Sequence, residues 1–144
     1  NKLDIINSKQ KEIIEEFNIL DGDFEMMLNY LMELGEKMLP IEEKYKVEEN
    51  IIKGCQSKVW LIYKLENNKF VFSGDSNTAI TKGLLSLLIR IFSNSTPEEI
   101  INSKLYFIKK IGLNRFIGTQ RSNGLESMEN KFKIFALSNI SKNE

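Results

Sequence analysis

The stretch KVWLIYKLENNKFVFSGDS, residues 58–76, alternates in the way strands do, and the chain on either side of it follows helical spacing. A lone hairpin cannot bury its own apolar side chains, so the flanking helices must supply the cover. Helix pair, small antiparallel sheet, then several helices is the order of an α+β domain with segregated layers. The spacing predicts one strand over 58–65, a turn near 66–68 and a second strand over 69–73. Residues 50–53 read as a further short strand entering a glycine turn. Val59, Leu61 and Tyr63 fall on one face of the first run and Trp60 and Ile62 on the other, which predicts cover on both sides.

Before the hairpin, Ile13, Ile14, Phe17 and Leu20 repeat at helical intervals, with Ser8 placed as N-cap. A second helix, capped by Asp21 or Asp23, buries Phe24, Met27, Leu28, Leu31 and Leu34 and is stopped by Pro40. After the hairpin, Ile80, Leu84, Leu87, Leu88 and Ile91 form a broad apolar stripe, so this helix, capped by Asn77 or Thr78, belongs at the centre of the core. In STPEEI, Thr96 caps, Pro97 takes the first helical position and Glu99 closes a capping box. LYFIKKIGL continues that helix to Gly112. A loop, NRFIGTQRS, then leads to a last helix, with Asn123 and Glu126 in a capping arrangement and its end near Ile140. No repeat or linker divides residues 1–144, which read as a single domain.

Composition narrows the chemistry. There is no histidine and one cysteine among 144 residues, which excludes Ser-His-Asp and Cys-His catalysis, His-ligated metal and thiolate-ligated clusters within this chain. Neither GxGxxG nor a Walker glycine pattern occurs, so no nucleotide site is indicated. Twenty basic residues balance twenty acidic ones, giving no general grip on nucleic acid or an anionic membrane. Residues 1–54 carry seven basic and thirteen acidic side chains and the remainder the reverse, a polarity suited to orienting a protein partner or simply to a solvated acidic face. GLLSLLIRIF is too short to span a bilayer and contains Arg90. With no signal peptide ahead of the first helical segment and no disulfide possible, a reducing cytoplasm is the expected compartment.

Attention therefore falls on NIIKGCQSKVW. Cys55 sits between Gly54 and the polar pair Gln56 and Ser57, with Lys53 and Lys58 beside it. A lone cysteine is commonly a small buried hydrophobe. Here Gly54 allows tight bending, Gln56 and Ser57 offer hydrogen bonds to a thiolate or to the loop backbone, and the lysines could favour the anionic sulfur. A free thiol has a pKa of about 8.5 and no base is at hand, so a self-contained hydrolase is poorly supported. A thiol that receives an atom from another enzyme needs only exposure on demand, a mobile mount and shelter afterwards.

IKGCQSKVW, GDSNTAITKGLLSLL, STPEEI, IGL and RSNGLESM, in this order and spacing, resemble the SufE family of cysteine desulfuration proteins over nearly the whole chain. The resemblance implies the SufE/NifU fold, shared with IscU-type scaffolds: a three-stranded antiparallel sheet packed against helices. It implies a sulfur acceptor rather than an enzyme with turnover of its own. Cys55 would take persulfide sulfur from a SufS-type, pyridoxal-phosphate-dependent cysteine desulfurase, stimulate that enzyme, and pass sulfur to a SufBCD-type iron–sulfur scaffold. The cofactor belongs to the partner, and this chain is expected to hold none. Gly54 would act as hinge and Gln56 and Ser57 as loop supports. Arg121, in RSNGL, matches the family arginine before the last helix and would assist docking or the thiolate, its bland alternative being a solvent-facing helix start. Asp75 and Lys82 match a stretch near the sulfur-bearing loop, or serve helix capping.

The chain departs from the family pattern in three places. Phe116, in FIGTQ, replaces a histidine and the usual proline is missing; Asn77 replaces a second aspartate; Thr81 replaces an aliphatic residue. Two other functions compete: an allosteric activator of the desulfurase whose cysteine is structural, and a thiol-dependent enzyme such as a peroxidase, which the lack of a resolving cysteine or histidine opposes.

Overall fold

The hairpin expected from the alternation is present. β1 (Val59–Glu66) and β2 (Lys69–Ser76) pair antiparallel from Val59 opposite Ser76 to Glu66 opposite Lys69. Asn67 and Asn68 turn the chain with φ of 51° and 62°, the left-handed pair that a twisted two-residue hairpin turn demands and asparagine tolerates. The computed structural model describes residues 4–115 and 119–140, the side chains of residues 4 and 119–123 excepted.

Among the described residues the sheet has two strands, which corrects the three-stranded expectation. The segment read as a strand over 50–53 makes one antiparallel bridge, Ile51 to Trp60, and one further bond from the Ile52 N–H to the Val59 carbonyl at 2.8 Å. A tight helical turn, Glu48–Asn50, precedes it and Gly54 bends away at φ 94° after it, so too few extended residues remain for a ladder. Cover on both faces of β1 is also not found: Val59 and Leu61 are buried, Trp60 and Ile62 are half-buried, and residues 64–66 are exposed.

Helices close the inner face. α1 (Asp4–Asn18) starts ahead of Ser8, which lies inside it rather than capping it, because Ile6 extends the buried Gln10, Ile13 and Phe17 stripe toward the N-terminus. α2 (Phe24–Lys37) is capped by Asp23, whose carboxylate accepts the Met26 N–H at 3.0 Å, and ends ahead of Pro40. It buries Met27, Leu31 and Gly35; Leu28 and Leu34 are half-buried and Phe24 is exposed. α3 (Ala79–Phe92) is the central helix, with Leu84, Leu85, Leu87, Leu88, Ile91 and Phe92 in the core and Ile80 at its margin. α2 and α3 cross where a Cβ on Gly35 would lie 2.7 Å from the Gly83 nitrogen and one on Gly83 2.8 Å from Leu31 Cγ, so two glycines let the backbones touch.

Thr96 and Glu99 form the expected reciprocal capping box at the start of α4 (Pro97–Ile101). The helix does not run on to Gly112: the chain leaves it at Asn102, and α5 (Phe107–Ile111) is separate. Gln10 accounts for the break. Its buried amide donates to the Lys104 carbonyl at 3.0 Å and accepts from the N–H groups of Tyr106 and Phe107 at 2.8 and 3.2 Å, partners that an uninterrupted helix would withhold. α5 ends at Gly112, φ 78°. α6 (Thr119–Ile140) begins within the expected loop, so Asn123 lies inside the helix and is not its cap. Gly124, Met128, Phe132 and Ala136 recur at four-residue intervals on its buried side, where Phe132 meets Phe72 edge to face with centroids 4.7 Å apart.

Candidate functional site

Residues 53–58 form a loop closed at its base by the Ile52–Val59 hydrogen bond, with Cys55 near its tip. The loop lies between the first turn of α3 and the buried side of α6. Lys58 N–H donates to Asn77 Oδ1 at 3.0 Å, and Asn77 N–H donates to the Lys58 carbonyl at 3.2 Å, tying the outgoing limb to the approach to α3. Asn77 thus ties the loop through an uncharged amide. Thr78 occupies the N-cap position of α3 but makes no side-chain cap bond; its hydroxyl pairs instead with that of Ser57 at 2.7 Å. The buried Thr81 hydroxyl is 3.3 Å from the same Ser57 oxygen.

On the other side, Gly54 packs so tightly on α6 that a Cβ there would overlap Ser127 Oγ and sit 3.2 Å from Ser127 Cβ, while its φ of 94° is itself a glycine conformation. Cys55 is half-buried, and its thiol lies 3.6 Å from the Gly124 carbonyl, to which it can donate a weak hydrogen bond. A Cβ on Gly124 would rest 3.7 Å from the sulfur, in ordinary contact. The cavity at the sulfur has a volume of about 330 Å³ and mixes hydroxyl and amide groups from Ser57, Asn77, Thr78 and Thr81 with the apolar walls of Leu84 and Met128.

Burial pushes the Cys55 thiol above its ordinary pKa. Lys53 and Lys58 are exposed and do not offset it, which corrects the expectation that they favour the anionic sulfur. At rest burial therefore disfavours the thiolate, and moving the sulfur into water would ease its ionisation.

The structure brings Cys55, Gln56 and Ser57 to one cavity with Gly54 at its edge. Gln56 is exposed and makes no side-chain hydrogen bond among the described residues. Arg121 belongs to α6 by its backbone, but its side chain lies outside the described residues, as does Phe116 altogether. Asp75 and Lys82 do meet, but in an ion-pair cluster rather than on the cavity wall. Asp75 binds Lys46 at 2.8 Å and Lys82 at 3.2 Å and accepts its neighbour's Ser76 N–H at 2.8 Å. Burial pushes its carboxyl up, but Lys46, the Ser76 N–H and Lys82 together outweigh that and hold it below the ordinary carboxylate value. Sequence reasoning gave no role to Gly124, Ser127 and Met128 and noted Thr81 only as a departure. A small-residue step in the buried stripe of α6 was the one available signal for Gly124.

Among the described residues no group of three His, Cys, Asp or Glu side chains is placed to hold a metal ion, and no helix is long and apolar enough to cross a membrane.

A small α+β domain that presents one half-buried thiol on a loop bent at a glycine defines a single-cysteine loop protein. The family profile of SufE, described as an Fe-S metabolism associated domain, matches residues 11–136, and the chain belongs to that family. Its association is therefore with iron–sulfur metabolism and the machinery of cluster assembly. The solution structure of a hypothetical protein from Thermus thermophilus has the same fold, with a TM-score of 0.75 and 21 % identity over 92 % of this chain and 96 % of that one.

Proposed function

We propose that this protein accepts sulfur on Cys55 from the persulfide of a SufS-type cysteine desulfurase, stimulates that enzyme by emptying its active-site cysteine, and delivers the sulfur to a SufBCD-type scaffold. The Cys55 thiolate attacks the terminal sulfur of the donor persulfide. A Cys55–sulfur bond forms as the donor's sulfur–sulfur bond breaks, and the donor cysteine leaves as thiolate. One thiol and one persulfide exchange for another thiol and persulfide, so no external oxidant or reductant enters. The protein is a carrier without turnover of its own, and pyridoxal phosphate stays with the desulfurase. A reducing compartment such as the cytoplasm suits a free thiol.

The observation that carries this reading is the seat of Cys55: half-buried, weakly bonded to the Gly124 carbonyl, and mounted on a loop whose glycine can bend. Burial disfavours the thiolate and shields the sulfur at rest. Docking would draw the loop outward, ease ionisation of the sulfur and present it, with Gly54 as hinge, Ser57 as support and Arg121 as docking aid; Gln56, exposed and without a side-chain hydrogen bond among the described residues, does not support the seated loop. The half-buried state of Cys55 also favours a second reading, an activator whose cysteine is structural.

Incubation with a desulfurase and L-cysteine separates the two. A sulfur acceptor gains sulfur at Cys55 by intact mass and peptide mapping, and Cys55→Ser loses both the added sulfur and the stimulation. Full stimulation by Cys55→Ser would instead establish the activator.

A further inference from the structure

The interior of the cysteine loop, residues 53–57, is held to the rest of the described residues by very few polar contacts. On the α6 side there is only the thiol–carbonyl contact of 3.6 Å, a weak bond. On the α3 side there is one oxygen, Ser57 Oγ, shared between Thr78 at 2.7 Å and Thr81 at 3.3 Å. A hydroxyl has one proton to give and lone pairs to receive, so Ser57 can satisfy both threonines at once by donating to one and accepting from the other. Neither threonine is engaged in capping: Thr78 makes no side-chain cap bond, and Thr81 lies within α3 with its hydroxyl buried at the cavity. Their side chains are thus available to the loop rather than to the helix.

We propose that Ser57, Thr78 and Thr81 form the catch of the Cys55 loop, and that they are positioning residues which set how often the sulfur leaves its seat. The functional meaning rests on the sulfur-acceptor reading, because only a thiol that must emerge needs a catch. The catch is placed for release. It sits two residues beyond the cysteine, on the limb opposite the Gly54 hinge, so letting go of one oxygen frees the tip while the Ile52–Val59 bond and the Asn77–Lys58 pair still hold the base. Water can replace the threonines once the loop lifts, so opening leaves no buried polar group stranded. The effect on the closed state is the net value of the hydrogen bonds alone, about two- to tenfold in the open-to-closed ratio.

Because one oxygen serves both partners, the three side chains act as a unit. The single cysteine makes the test direct: the rate of Cys55 alkylation by iodoacetamide, followed by intact mass across a pH series. Because the thiol ionises more readily out of its seat, opening and ionisation are linked, and the rate at neutral pH, below the thiol pKa, is the reading that scales with the open-to-closed ratio. Ser57→Ala is expected to raise the neutral-pH rate about two- to tenfold, and Thr78→Val/Thr81→Val to raise it by a similar factor. The triple variant should go no further than Ser57→Ala alone, and Thr81→Ser, which keeps the hydroxyl, should stay near the parent. Thermal melting accompanies each variant, with rates compared at temperatures where all are folded. An unchanged neutral-pH rate in Ser57→Ala, or effects that multiply in the triple variant, would overturn the proposal. Iodoacetamide needs no protein partner, so the catch can fail while sulfur acceptance stands, and sulfur acceptance can fail with the catch intact.

Discussion

Replacing Gly54 with alanine perturbs the loop at its other limb, and the size of the effect follows from two features of the closed state. The residue is held at φ 94°, where an L side chain clashes with its own backbone at a cost of roughly 1–2 kcal/mol. The new Cβ would also overlap Ser127 Oγ and lie 3.2 Å from Ser127 Cβ. Both penalties belong to the seated loop and are relieved when it lifts off α6. The backbone contribution alone should raise the open-to-closed ratio about 5- to 30-fold, and the overlap adds to it. The alkylation rate of Cys55, measured where the loop opens and closes faster than the reagent reacts, is the assay, with thermal melting as a check on the fold. Adding Ser127→Ala removes the overlapping oxygen but leaves the backbone strain, so the double variant should fall between Gly54→Ala and the parent. A Gly54→Ala protein that melts normally and alkylates no faster than the parent would refute the reasoning, because it would mean the loop accommodates an ordinary residue in its closed seat.

Buried polar groups give two predictions about stability. Gln10→Leu removes the amide that pairs with Lys104, Tyr106 and Phe107, leaving the buried Phe107 N–H without that partner while water can reach the part-buried Lys104 and Tyr106 groups; denaturant unfolding should show a loss of about 1–3 kcal/mol with the break before α5 loosened. Asp75→Asn weakens the ties to Lys46 and Lys82 and should destabilise the protein by about 2 kcal/mol at neutral pH. Because the folded carboxyl of Asp75 is held below its ordinary 3.8, its contribution is fully present above that value and is lost as the pH falls through the folded pKa. Melting curves of parent and variant should therefore converge under strongly acidic conditions and stay apart at neutral pH; a constant gap would remove the ion pairs from the account.

The acid-sensitive cluster also bears on how the loop is framed. Asp75 stands directly opposite Trp60 in the hairpin, and Lys46 reaches both, bonded to the carboxylate and 5.6 Å from the centre of the indole ring. Lys46 belongs to the segment that enters the loop, Trp60 to the strand that leaves it, and Lys82 to the helix that receives Ser57. One carboxylate thereby fastens the three segments on which the cysteine loop is mounted.

Several features were legible in the residues because their causes are local. The paired asparagines specify a tight turn through backbone sterics, Thr96, Pro97 and Glu99 specify a helix start within four positions, and the lack of histidine removes whole reaction classes without any knowledge of shape. Gly54 beside Cys55 pointed to a bend, and the bend is there. What the tertiary structure decided lies across the chain: Cys55 meets Gly124 from 69 positions away, and Ser57 meets Thr78 and Thr81 from 21 and 24. Periodicity says which side of a helix is buried, but not which residue of another element lies against it. For that reason Thr81 read only as a departure from the family's aliphatic residue, and Asn123 as a cap where the chain is already helical. The shortfall of the third strand has the same origin, since Ile51 and Ile52 have strand-forming side chains while the turns on either side leave them no room to pair further. Sequence alone determined that the chain carries a single thiol; packing determined that it rests half-buried against the Gly124 carbonyl, on a loop whose Ser57 meets the hydroxyls of Thr78 and Thr81.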